Sequence, residues 1–335
     1  MSSESGTLPP LQLAEARELV ARREWRVLAD RAALLPRDAL LAEPELGYHC
    51  ANAWMRTGAV ERALELAREI EPRLRLNGDR RLGLQATNLL GALLFESGLA
   101  SDAEDRFGEL LERATEWQND EFAARASNNL GVLANVRGER ERALTFYQRA
   151  LASYQRLGYI RGLAQTHYNL GVSYRELSFA EEADAHYARA ISFSEQTGDG
   201  DVVGLAESDR GLLCIQTGDP EKGGALARLA RDRFTALGDP VRAAEAMRVI
   251  AAAERAVARR EEARRLLDEA FTTARAHSNL LLLAEVQRDR GLLLRELGDE
   301  SGAREALLDA ADHFTRLGAS AEAESTRQLA GPLPG

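Results

Sequence analysis

RASNNLGVLANVRGERERALTFYQRALASYQRLG (Arg125 to Gly158) and AQTHYNLGVSYRELSFAEEADAHYARAISFSEQTGD (Ala164 to Asp199) are two copies of one pattern. Asn129 matches Asn169, Leu130 matches Leu170, Gly131 matches Gly171, Ala143 matches Ala183, Tyr147 matches Tyr187 and Ala150 matches Ala190, always 40 residues apart. The same step carried outward finds a small residue at Ala51, Gly91, Gly131, Gly171, Gly211, Ala251 and Gly291. A second small residue recurs at Ala63, Ala103, Ala143, Ala183, Gly223, Ala263 and Ala303. Seven copies therefore run over 44–323 without an insertion, with starts near 44, 84, 124, 164, 204, 244 and 284.

Small residues where two helices cross, with aromatics filling the gaps, make this pattern resemble the tetratricopeptide repeat, a helix-turn-helix unit. The resemblance implies an all-α fold, a right-handed α-solenoid of stacked repeats. The uniform 40-residue unit is similar to that of Pins-type scaffolds and of the sensor arrays of bacterial regulators.

The punctuation of the chain agrees. Gly58, Gly98, Gly138, Gly218 and Gly298 fall in the turn inside the repeat, where a left-handed backbone is easiest without a Cβ; Ser178 and Ala258 are the exceptions. Gly78-Asp79, Gly198-Asp199 and Gly238-Asp239 fall between repeats, Gly to close one helix and Asp to begin the next. Position 8 of the first helix is Gly or Ala so that it can approach the second. Phe107, Tyr147 and Tyr187 should cover that crossing, and Ala227, Leu267 and Leu307 take their place later.

Outside the array, residues 1–10 read as a flexible leader ending in Pro9 and Pro10. Residues 11–43 read as degenerate capping helices: Leu11 to Leu35 has helical spacing without the small-residue pair and reads as two helices, with Trp25 beneath them and Pro36 ending them. Residues 320–330 read as a C-terminal capping helix, and Pro332 in the tail 331–335 stops a further repeat.

A net charge of -10 argues against nucleic acid as a direct partner. No apolar run is long enough to span a membrane, and Met1 to Pro10 lacks a signal-peptide pattern, so a cytoplasmic monomer is expected. The Arg and Ala bias suggests a GC-rich bacterial genome. Cys50 and Cys214 fall on buried faces and read as core. There is no phosphate loop, no paired cysteines at metal spacing and no His pair at i, i+4, so no cofactor, no metal and no enzymatic activity are expected. His167 and His186 could approach across one repeat, with packing as the default account.

The resemblance places the first helices along a concave surface, with positions 2, 5, 9 and 12 lining a groove; by spacing alone these positions share one helical face. Nine asparagines occur: three fall in turns between repeats, and Asn52, Asn88, Asn128, Asn129, Asn135 and Asn169 all lie in first helices. An interior Asn costs up to about 0.7 kcal/mol against Ala, so something besides helix stability favours these amides. Two accounts stand: they bind the backbone of an extended peptide, or they bond to each other between repeats. Around them lie Arg125, Gln165, Tyr168 and Arg175, and further on Arg248, Arg255 and Arg288, whose planar guanidinium forks suit ligand carboxylates. Glu245 and Glu285, three residues before Arg248 and Arg288, could neutralise part of that group. Leu205, Leu212 and Ile215 form an apolar step between the two groups. The two-carboxylate clamp of chaperone-binding family members needs first-helix lysines, and the single lysine, Lys222, lies in a second helix.

The function expected is therefore a non-catalytic scaffold holding an extended segment of a partner protein. The alternative is a sensor subunit whose groove binds a signal peptide or small ligand and controls a partner enzyme or transcription factor. Self-assembly through the ends is disfavoured by the caps.

Overall fold

The computed structural model describes residues 10–317 and 319–331. The leader assigned to 1–10 lies almost wholly outside these residues, as does the tail from 332. Two compact units divide the chain, one through Tyr159 and one from Ile160.

The first unit holds α1 (Leu13–Ala21), α2 (Trp25–Ala33), α3 (Arg37–Ala42), α4 (Pro44–Arg56), α5 (Val60–Leu76), α6 (Arg80–Glu96), α7 (Ala100–Glu116), α8 (Asp120–Val136) and α9 (Arg140–Leu157). The second holds α10 (Ile160–Glu176), α11 (Ala180–Thr197), α12 (Gly200–Gln216), α13 (Pro220–Ala236), α14 (Pro240–Ala256), α15 (Arg260–Ala276), α16 (Leu280–Glu296), α17 (Glu300–Arg316) and α18 (Ser320–Ala330). Every described element is helical, and within each unit a helix packs mainly on its neighbours in sequence, as a solenoid requires.

First helices from α6 onward start four residues ahead of the repeat boundaries, at 80 rather than 84 and so on. Side-chain caps set most of these starts. Asp79, Asn119, Asp239 and Asn279 accept from the backbone N–H groups of Leu82, Phe122, Arg242 and Leu282, at 3.0, 3.2, 3.0 and 2.9 Å. Asp199 makes no such bond.

The region before the array differs from expectation in two ways. The two helices read over 11–35 are α1 and α2, but a third, α3, follows them with Pro36 at its N-cap. The tryptophan in its core is Trp54, whose Nε1 donates to the carbonyl of Ala29 at 3.1 Å; Trp25 is only half-buried, with the Arg56 guanidinium 4.6 Å from its ring.

The helix crossings follow the small residues. A Cβ added at Gly131 would stand 2.6 Å from the Tyr147 ring, and one at Gly171 would stand 2.6 Å from the Tyr187 ring. Both tyrosines are fully buried. Where Ala227 replaces the aromatic, the two helices close the space themselves. A Cβ at Gly211 would meet the Gly223 carbonyl at 2.7 Å, and one at Gly223 would meet the Gly211 carbonyl at 2.6 Å. Cys50 and Cys214 are buried and unbridged. The turns also hold their register without glycine: Ser178 and Ala258 adopt φ of 65° and 63°.

Two outcomes follow. Gly131→Ala should overpack the Tyr147 crossing and cost about 1–3 kcal/mol in urea unfolding. Ala258→Gly should relieve a left-handed alanine and raise stability by about 0.5–1 kcal/mol in the same assay.

Candidate functional site

Within the units, three pairs of adjacent first helices are joined by side-chain rungs that connect position 5 of one repeat to position 6 of the next, 41 residues on. In the first unit Asn129 Nδ2 donates to Asn88 Oδ1 at 3.1 Å. In the second, the Tyr168 hydroxyl donates to Asp209 Oδ2 at 2.9 Å, and Arg248 Nε donates to Asp289 Oδ2 at 2.9 Å. Arg255 and Glu296 make a further bond at the same step. For Asn88 and Asn129 the structure therefore contains the inter-repeat bond that was one of the two accounts of the amides.

Also in the first unit, Arg125 donates to Glu121 at 3.1 Å and to the Tyr159 hydroxyl at 3.2 Å, with the Phe122 and Tyr159 rings 5.6 and 5.5 Å from its guanidinium. Asn128 and Asn135 are half-buried on α8.

The second unit carries a cleft of about 610 Å³ on the faces of α10, α12, α14 and α16. Tyr168, Arg175, Arg248 and Arg288, four of the residues singled out from sequence, line it. Leu205, Leu212, Val249, Ala252 and Leu281 give it an apolar wall. Gln165 and Asn169 do not line it: Asn169 is 8% exposed and accepts from Gln165 Nε2 at 3.2 Å. Arg255 is held by Glu296, outside the lining.

Charge in the cleft is arranged differently from the expectation of local neutralisation. Arg248 is not paired with Glu245 three residues earlier; it bonds Glu285 as well as Asp289, both on the next first helix. Arg175 lies 3.8 Å from Asp209. Burial raises the Asp209 carboxyl above its usual range, against the pull of Arg175 and Tyr168. Burial also drives the Tyr168 hydroxyl far up, so it stays protonated and donates. Glu245 is raised by burial and by the neighbouring Glu285.

Asp209, Asp289, Gln216 and Leu281 are lining residues that the groove positions omit. The first two had a signal: they occupy position 6, where Asn129 and Asn169 had drawn attention. Leu281 was hidden because its helix begins before the repeat boundary.

A second cluster lies across the α10–α11 hairpin. His167 and His186 meet Nδ1 to Nδ1 at 2.8 Å, so one ring donates and the other accepts. Phe193 stacks on His167 and Tyr174 stacks on His186. Burial lowers both rings to about 4, and for His167 the neighbouring His186 adds to the effect.

Comparison with known proteins places these features on a familiar frame. The tetratricopeptide repeat model matches residues 122–196. No curated protein sequence matches the chain. Among solved structures, a Rap protein complexed with competence and sporulation factor is similar at a TM-score of 0.65 and 14% identity, over 95% of each chain. The apo quorum sensor NprR from B. thuringiensis is similar at 0.60 and 15%, over 95% of this chain and 94% of that one. Aspartyl phosphate phosphatase F from Bacillus subtilis is similar at 0.58 and 12%, over 98% and 95%. At these identities the likeness establishes the fold.

The histidine pair makes acid stability testable. Folded values near 4 against an ordinary 6.5 mean that the neutral pair favours the native state above about pH 6.5, an advantage lost as pH falls toward 4. Unfolding free energies from urea titrations should drop across that window, by on the order of 2 kcal/mol after allowance for the partial exposure of His186. His186→Phe should flatten the drop.

Proposed function

We propose that this chain, which matches the tetratricopeptide repeat model over residues 122–196, is a non-catalytic binding protein whose first-helix surface holds an extended segment of a partner, with the cleft of the second unit as its main docking site. The observation that carries this reading is the cleft itself. It joins an apolar wall to a rim of fixed charges, the combination by which a pocket binds one segment and orients it. Tyr168 and Arg248 are held by their rungs before any ligand arrives, which lowers the ordering cost of binding. The first unit, taken by itself, carries Asn88, Asn128, Asn129, Asn135 and Arg125 on its own first helices, where amides and a guanidinium suit peptide backbone and acidic side chains.

A second reading is favoured by the similarity to a factor-bound Rap protein and to a quorum sensor. In it the segment is a signal peptide, and the bound state acts on a partner enzyme or transcription factor. No described helix is long and apolar enough to cross a membrane, and the site of action proposed is the cytoplasm.

Leu281→Ala with Arg288→Ala changes the cleft at an exposed leucine and a half-buried arginine. Cross-linking capture from the native lysate should recover a protein with the wild-type chain and lose it with this variant at unchanged helicity. Equal recovery would remove the cleft from the function. Small-angle scattering with and without the captured segment separates the readings, since a passive scaffold keeps its profile and a sensor does not.

A further inference from the structure

The arginines of the cleft invite the idea of an acidic ligand, but they are already engaged. Arg248 sits between Glu285 and Asp289, and Arg175 faces Asp209. Arg288 lies 5.5 Å from the Phe314 ring, a cation–π contact with α17. An acidic ligand at Arg248 would have to displace a carboxylate that is already bonded there.

The unmet charge has the opposite sign. Four carboxylates, Asp209, Glu245, Glu285 and Asp289, line the cleft against three guanidiniums. Among the described residues the Glu245 carboxylate has no hydrogen-bond or ion-pair partner, although it stands on the cleft wall beside Glu285. The proton affinities agree with this geometry. Burial raises the Glu245 carboxyl and the neighbouring Glu285 raises it further, against the pull of Arg248 and Arg242. Burial opposes the charge of Arg248, yet Asp289, Glu285 and Glu245 together hold it above its ordinary value. A cation entering beside Glu245 would offset the repulsion between that carboxylate and Glu285.

The wall beside these groups identifies the kind of cation. Leu205, Leu212, Val249 and Leu281 offer an apolar surface that a small hydrated ion cannot use. A lysine or arginine covers such a surface with its aliphatic stem while its head reaches a carboxylate.

Resting on the reading that the cleft docks a peptide segment, we propose that it selects a segment carrying a basic side chain, with the ammonium or guanidinium set against Glu245 and Glu285 and the stem and adjoining aliphatic residue against Leu212 and Leu281. The partner is thus a basic, aliphatic peptide stretch, complementary to a chain of net charge -10. The same stretch would be attracted at long range before it docks.

The test uses fluorescein-labelled pentapeptide pools, acetylated and amidated so that no terminal charge competes. The central residue is fixed as Lys, Arg, Glu or Leu and the flanks are aliphatic or small. Fluorescence anisotropy with the full chain should show the Lys or Arg pool binding about tenfold more tightly than the Glu and Leu pools, the scale of one partly buried charge pair. Glu245→Gln, with its melting curve as control for folding, should remove most of that preference. The inference is overturned if the Glu pool binds best, or if the basic preference survives Glu245→Gln. If no pool binds while lysate capture still depends on Leu281 and Arg288, the cation assignment fails and the docking site stands. If neither assay depends on the cleft, both readings fall.

Discussion

Contact between the two helices of each hairpin at position 8 is the constraint on which the other features rest. The ring of Tyr147 against Gly131 and that of Tyr187 against Gly171 leave no room for a methyl group. Dense packing of this kind fixes the rotation of each first helix about its own axis. The face presented to the neighbouring repeat is fixed with it. The Gly211–Gly223 crossing reaches the same result without an aromatic, by bringing carbonyl and Cα surfaces together directly. Different residues therefore satisfy one geometric requirement, which accounts for the drift of the C-terminal repeats from the family pattern.

Once rotation is fixed, the side chains at positions 5 and 6 of α6 and α8, of α10 and α12, and of α14 and α16 fall within hydrogen-bond reach. Within each unit the rungs then differ in kind: a neutral amide pair at Asn88 and Asn129, a phenol and a carboxylate at Tyr168 and Asp209, an ion pair at Arg248 and Asp289. Each rung both joins two repeats and sets the local chemistry of the surface above it. In the second unit the charged rungs flank an apolar wall, and the cleft results from that alternation.

The fold was legible because its determinants are short-range and periodic. Gly131, Tyr147 and Gly138 declare themselves through a fixed 40-residue step, and even Ala258, which lacks the expected glycine, obeys the turn it interrupts. The cleft was legible only in part. Tyr168, Arg175, Arg248 and Arg288 were found from the face they share, whereas the partners of Arg248 were not. A guanidinium reaches several carboxylates from one position, and choosing among Glu245, Glu285 and Asp289 requires the offset between neighbouring helices, which one-dimensional spacing does not contain. The meeting of His167 with His186 had the same character: compatible with the repeat, but decided by how closely α10 and α11 approach.

The 41-residue rung separates architecture from recognition. Backbone course is governed by the small residues and rings inside each hairpin, while the rung residues lie on the outer edge of that contact and accept amide, phenol or ion pair without altering the helices that carry them. The surface is therefore modular at the level of a residue pair. A lineage could exchange one pair for another, changing what the wall attracts along its length, and leave every helix where it was.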